Sequence, residues 1–91
     1  MTDWNAKPPR RHPAAGFRAF DGGETTIVIP DGSYIHVVNP MGTRVWELID
    51  GVRSETQIVD ILCEEFDAER EQILEDVREF LTNLEANRML G

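Results

Sequence analysis

The apolar residues of this chain change rhythm near position 40. Between Phe17 and Val38 they come in short, β-branched runs broken by Gly and Pro, and beyond Pro40 they recur at helical spacing. Phe17 to Asp21 reads as a short strand stopped by Gly22 and Gly23, Glu24 to Ile29 as a second, and Tyr34 to Asn39 as a third. Pro30, Asp31 and Gly32 suit a three-residue hairpin loop, with Pro fixing the first turn dihedral and Gly supplying a left-handed residue. That loop length sets a register in which Ile29 faces Ser33, Ile27 faces Ile35 and Thr25 faces Val37. Ile27, Ile29, Ile35 and Val37 then share one side, whereas a two-residue loop would scatter them. The opposite side, with Val28, Tyr34, His36 and Val38, is too apolar to be simply a wet surface.

Three helical patterns follow. Asn39 is a good N-cap, Pro40 suits the first helical position, and Met41, Val45, Leu48 and Ile49 form a stripe ending at Gly51 as C-cap, which predicts a helix from Pro40 to Asp50. Ser54 with Gln57 makes a capping box before Ile58, Ile61, Leu62 and Phe66, giving a second helix from Glu55 to Phe66. Asp67 is placed to cap a third, in which Ile73, Val77, Phe80, Leu81 and Leu84 run to about Asn87. Met89 and Leu90 should fold back against the sheet or the first helix. The predicted architecture is α+β and winged-helix-like: a three-stranded antiparallel sheet followed by three helices.

Charge divides the chain further. Nine Lys and Arg stand against seventeen Asp and Glu, a net −8 over 91 residues. Residues 1–20 carry Lys7, Arg10, Arg11 and Arg18 against Asp3, whereas residues 47–91 hold four Arg and thirteen acids. Residues 1–16, with Pro8, Pro9, Pro13 and Gly16 and no apolar periodicity, are expected to form a flexible or loosely docked basic arm beside a single domain at 17–91. The predicted third helix sets Arg70 and Arg78 against six acids, which opposes entry into a DNA groove. No apolar run approaches the roughly 20 residues of a membrane span, and one cysteine cannot close an internal disulfide. A soluble, cytoplasmic chain without nucleic-acid or membrane partners is the expectation.

Catalytic resources are thin. Cys63 reads as a small buried hydrophobe with no base placed for it, and His36 as a packing residue on a strand face. His12 sits in the arm, and the tight Cys and His pairs of a zinc site are missing. No catalytic residue, metal site or cofactor is expected. What remains is recognition. A short third strand that passes directly into a helix offers main-chain groups along its far edge if that edge is unpaired, and a peptide can add there as a strand. The groove wall would come from the third helix through Leu74, Arg78 and Leu81.

The stretch V-N-P-M-G-T-R-V-W-E-L-I-D-G at 38–51, S-E-T-Q-I-V at 54–59, D-V-R-E-F-L-T-N-L at 76–84 and M-L at 89–90 resembles the PqqD family. Ser54 stands where the family has Thr and keeps the capping hydroxyl. The family's Gly before the final apolar pair is Arg88, so Asn87 is expected to take the left-handed turn. The resemblance covers about residues 17–90. It implies a non-catalytic peptide chaperone, a recognition element for ribosomally made and post-translationally modified peptides. Such a chaperone captures the leader of a precursor and presents it to a radical S-adenosylmethionine or other modifying enzyme, as in pyrroloquinoline quinone synthesis. It further implies a leader strand on Tyr34, Ile35, His36, Val37 and Val38, lying against Leu74, Val77, Arg78 and Leu81. A monomer or weak homodimer is expected. The alternatives from other classes are a winged-helix transcriptional regulator and a structural subunit of a maturase complex.

Overall fold

The computed structural model describes residues 3–20, 24–29, 31–32, 34–37 and 39–91. Gly22, Gly23, Pro30, Ser33 and Val38 lie outside them, and with them the strand stop and part of the hairpin loop read from the sequence. Three strands, β1 (Gly16–Phe20), β2 (Glu24–Val28) and β3 (Tyr34–Val37), form one antiparallel sheet in the order β1-β2-β3. The register of β2 and β3 is the one the loop length demands: Thr25 pairs with Val37, Ile27 with Ile35 and Val28 with Tyr34. Gly32 takes φ +92° and donates its N–H to the carbonyl of Ile29 at 3.0 Å. Ile27, Ile29 and Val37 are accordingly buried, while Val28 and Tyr34, on the opposite face, stay exposed. Thr25 is also buried, and its hydroxyl donates to that of Thr43 at 3.0 Å, so the polar group is satisfied across to the first helix.

The helices are α1 (Pro40–Leu48), α2 (Glu55–Glu65) and α3 (Arg70–Ala86). Asn39 caps α1 by accepting from the amide of Gly42 at 2.9 Å, and the Ser54–Gln57 capping box opens α2 as its residue types require. Three ends differ from the pattern-based expectation. Ile49, not Gly51, is the C-cap of α1; Gly51, at φ +80°, serves the next turn, where the Asp50 carboxylate accepts from the amides of Val52 and Arg53. Glu69, not Asp67, is the N-cap of α3, and it makes no side-chain cap bond. Arg88, not Asn87, adopts the left-handed conformation, at φ +60°. Met89 donates to Leu84 and Arg88 to Glu85, the paired bonds of a Schellman motif, and burial of Met89 holds the arginine in a shape usually left to glycine.

The core joins the inner face of the sheet to one stripe from each helix: Val45, Trp46 and Leu48 of α1, Ile58, Val59 and Leu62 of α2, and Ile73, Val77, Leu81 and Leu84 of α3. Each fully buried aliphatic side chain contributes roughly 1.5–3 kcal/mol. Phe17 meets Trp46 edge-on at 6.1 Å between ring centres, and the Arg11 guanidinium lies 5.7 Å from both rings.

The N-terminal segment is docked, in place of the loose arm expected from its composition. Trp4 is 6% exposed and belongs to the core, and Pro9 is buried. The Trp4 carbonyl accepts from the amide of Glu55 at 3.2 Å, and Asn5 accepts from the amide and hydroxyl of Thr56 at 2.9 and 2.8 Å. Bridges between Arg10 and Asp50 and between Arg11 and Leu90 bind the segment to the turn after α1 and to the C-terminus. Trp4 supplies the large buried side chain, with Pro9 beside it in the segment, that the composition alone does not announce. Among the described residues no helix is long and apolar enough to cross a membrane.

Candidate functional site

The edge of the sheet is where recognition chemistry is available. β3 is an outer strand, paired on one side with β2. An outer strand presents alternate N–H and C=O groups away from the sheet, which a second extended chain can satisfy. Beside that edge lies an open groove of about 240 Å³. Its walls come from three elements: Ile35, His36 and Val37 of β3, Asn39, Met41, Gly42 and Val45 at the start of α1, and Asp76, Phe80 and Asn83 of α3.

Local sequence explains each wall. The short passage from β3 through Asn39 into Pro40 turns the first coil of α1 back over the strand, with Asn39 fixed by its cap bond to Gly42. Gly42 is the point of closest approach. A Cβ built there would sit 2.7 Å from Cγ1 of Val37, so only glycine lets α1 come this close to β3 without movement, while the ring of Phe80, at 3.7 Å, stands at ordinary contact distance. On α3, Asp76, Phe80 and Asn83 form a row at i, i+4 and i+7 beside the core row of Ile73, Val77, Leu81 and Leu84. Met41 and Phe80 are partly buried and pack on the core, which leaves apolar surface for the groove. His36 is held across the sheet, with Nδ1 2.9 Å from the hydroxyl of Thr26 and Nε2 3.8 Å from the Glu24 carboxylate.

The site residues expected from the sequence divide into three groups. Ile35, His36 and Val37 line the groove, and Tyr34, 69% exposed, begins the same strand. Val38 lies outside the described residues. The α3 residues do not meet the groove: Val77 and Leu81 are fully buried in the core, and Leu74 is partly buried against it. Arg78 faces the other flank of α3, where Nε donates to the buried Glu55 carboxylate at 2.9 Å. A second depression of about 550 Å³ opens there, bounded by Trp4, Asn5, Arg78 and Thr82 among others. Relative to the groove, the expected α3 residues lie on the far side of the core row. Leu74 and Arg78 follow core residues in the chain, whereas the groove-lining Asp76 and Phe80 precede them. The sequence signal for the groove-lining row is Phe80, which periodicity assigns to the core stripe although it sits at that stripe's edge.

Three comparisons bear on this arrangement. The family model described as Coenzyme PQQ synthesis protein D (PqqD) matches residues 24–90. The PqqA binding protein of Rhizobium meliloti (strain 1021) is 34% identical over 68 residues, which span 75% of this chain and 67% of that protein. Among solved structures, TbiB1 in complex with the TbiA(beta) leader peptide superposes with a TM-score of 0.76 at 26% identity, covering 89% of this chain and 93% of that one.

Proposed function

The chain belongs to the PqqD family, and from that membership we propose that it is a peptide-binding chaperone for ribosomally made, post-translationally modified peptides, one that takes a precursor's leader as an added strand on β3. The observation that carries the reading is the juxtaposition of an outer strand with an apolar groove along its edge. Main-chain hydrogen bonds to β3 supply affinity, and the groove selects side chains of the bound strand. The naming of one relative for PqqA and of one structural neighbour for a leader peptide supports the same assignment. The partners proposed are a PqqA-type precursor and a separate radical S-adenosylmethionine or other modifying enzyme in the cytoplasm, with this chain contributing no catalytic group. We place recognition in the 17–91 unit, with the N-terminal segment as a structural strap.

The proposed contact residues are Tyr34, Ile35, His36 and Val37 on the strand and Met41, Asp76, Phe80 and Asn83 on the opposite wall. Gly42→Ala tests the groove. The added methyl meets Val37 at a distance no real Cβ tolerates, so either Val37 or the first turn of α1 shifts and the groove narrows. With the PqqA peptide of Rhizobium meliloti as probe, Gly42→Ala and Phe80→Ala are each expected to raise Kd about tenfold or more, while circular dichroism reports the wild-type fold. Wild-type affinity in both variants would remove the groove from the account.

A further inference from the structure

The α3 wall of the groove carries acidic side chains, and His36 of β3 is the one titratable base that lines the groove among the described residues. Asp76 lines the groove, and a polar recess of about 250 Å³ continues from it, bounded by Asn39, Asp76, Glu79, Phe80 and Asn83. No Lys or Arg lines either hollow among the described residues. The arginines of the helices are engaged elsewhere: Arg44 with Glu65, Arg70 with Asp60 and Arg78 with Glu55. Asp76 accepts a bond from the Gln72 amide at 3.1 Å, which brings no charge. An apolar well and an acidic recess thus lie side by side along one edge strand.

Spacing turns this into a pattern for the occupant. Asp76 and Phe80 are one helical turn apart, about 6 Å along the axis. In an added strand, side chains on one face repeat every two residues, about 6.6–6.8 Å. With the added strand running along α3, a residue seated against Phe80 and Met41 has its same-face neighbour, two positions along, opposite Asp76. Resting on the strand-addition reading above, we infer that the groove selects a leader segment in which an apolar residue is followed or preceded, two positions away, by Lys or Arg, the cation meeting Asp76 with Glu79 behind it. An acidic residue at that position would face two carboxylates and be rejected, a repulsive element that gives specificity beyond the apolar contact.

The test uses the labelled PqqA peptide of Rhizobium meliloti and two series of variants in which each residue in turn is replaced by Lys or by Glu. Kd is measured by fluorescence anisotropy against the full chain, Asp76→Asn, Asp76→Glu and the double variant Asp76→Asn/Glu79→Gln. Both acids are exposed, so the fold should survive, and thermal midpoints verify that. Expected is one position at which Lys binds about fivefold or more tightly than Glu, lying two residues from an apolar residue whose replacement by either charge abolishes binding. That ratio should persist in Asp76→Glu, shrink at high salt and fall below about twofold in the double variant. A series with no such position, or a preference that survives the double variant, overturns the inference while leaving strand addition intact. Absence of binding by every peptide overturns both.

Discussion

Asp50 illustrates how single side chains hold this small fold at its turns. Its carboxylate accepts from the amides of Arg53 and Val52 at 2.8 and 2.9 Å and from the Arg53 guanidinium at 2.6 Å. The Arg53 amide first, then that of Val52, hold the carboxyl below its ordinary range. Glu65 is lowered in the same sense, mainly by the side-chain bond from Arg44. A carboxyl whose folded pKa is depressed stabilises the native state above its unfolded value, about 3.9 for Asp, and that stabilisation is lost as pH falls through the folded value. Both groups are about a third exposed, so solvent screens the effect. The urea midpoint is therefore expected to drop below about pH 4, and Asp50→Asn to reduce the steepness of that drop. An identical acid profile in the variant would show that the Asp50 charge plays no part. Gly42 works at the same scale by a different means, through the absence of a side chain, and its effect falls on the shape of the groove.

At the scale of elements, the N-terminal segment matters most for stability. Trp4 and Asn5 supply partners for the amides of Glu55 and Thr56, and Ser54 accepts from Gln57, so the first three amides of α2 are all capped. Deleting residues 1–12 removes the buried Trp4 and two of those three caps. Truncation of a buried tryptophan alone costs about 3–5 kcal/mol, and a lost cap about 1 kcal/mol. The truncated chain is expected to lose at least about 3 kcal/mol in chemical denaturation, with faster amide exchange at Glu55 and Thr56, and Trp4→Ala to reproduce most of the loss. An unchanged midpoint would mean that the segment contributes nothing. The strands and helices were legible in the sequence because local rules set them: the three-residue loop fixed which face of β2 and β3 is buried, and Asn39 and Ser54 marked the helix starts. The docking of Trp4 was not legible. It depends on one residue docking beside the start of α2 and the flank of α3, more than 50 residues distant in the chain, and no periodicity announces that. The flank of α3 that meets β3 was hidden for a related reason. Core spacing selects the buried row, but which neighbouring row faces the sheet follows from how the helix crosses it.

Over the whole molecule, charge is divided by segment. The basic residues Lys7, Arg10 and Arg11 lie in the N-terminal segment, which bridges to the end of α1 and the C-terminus, while α3 presents its acids beside the β3 edge. The fold offers a strand edge, an apolar well and an acidic rim in one place. Strand addition is the claim that joins these features, and amide-resolved NMR tests it most directly. The 15N-labelled full chain is titrated with the PqqA peptide of Rhizobium meliloti while hydrogen exchange is followed. The account predicts the largest shifts at residues 34–37 and 76–83, with slowed exchange of β3 amides that point away from β2. Shifts confined to α2 or to the Trp4 and Arg78 flank, with β3 exchange unchanged, would contradict it.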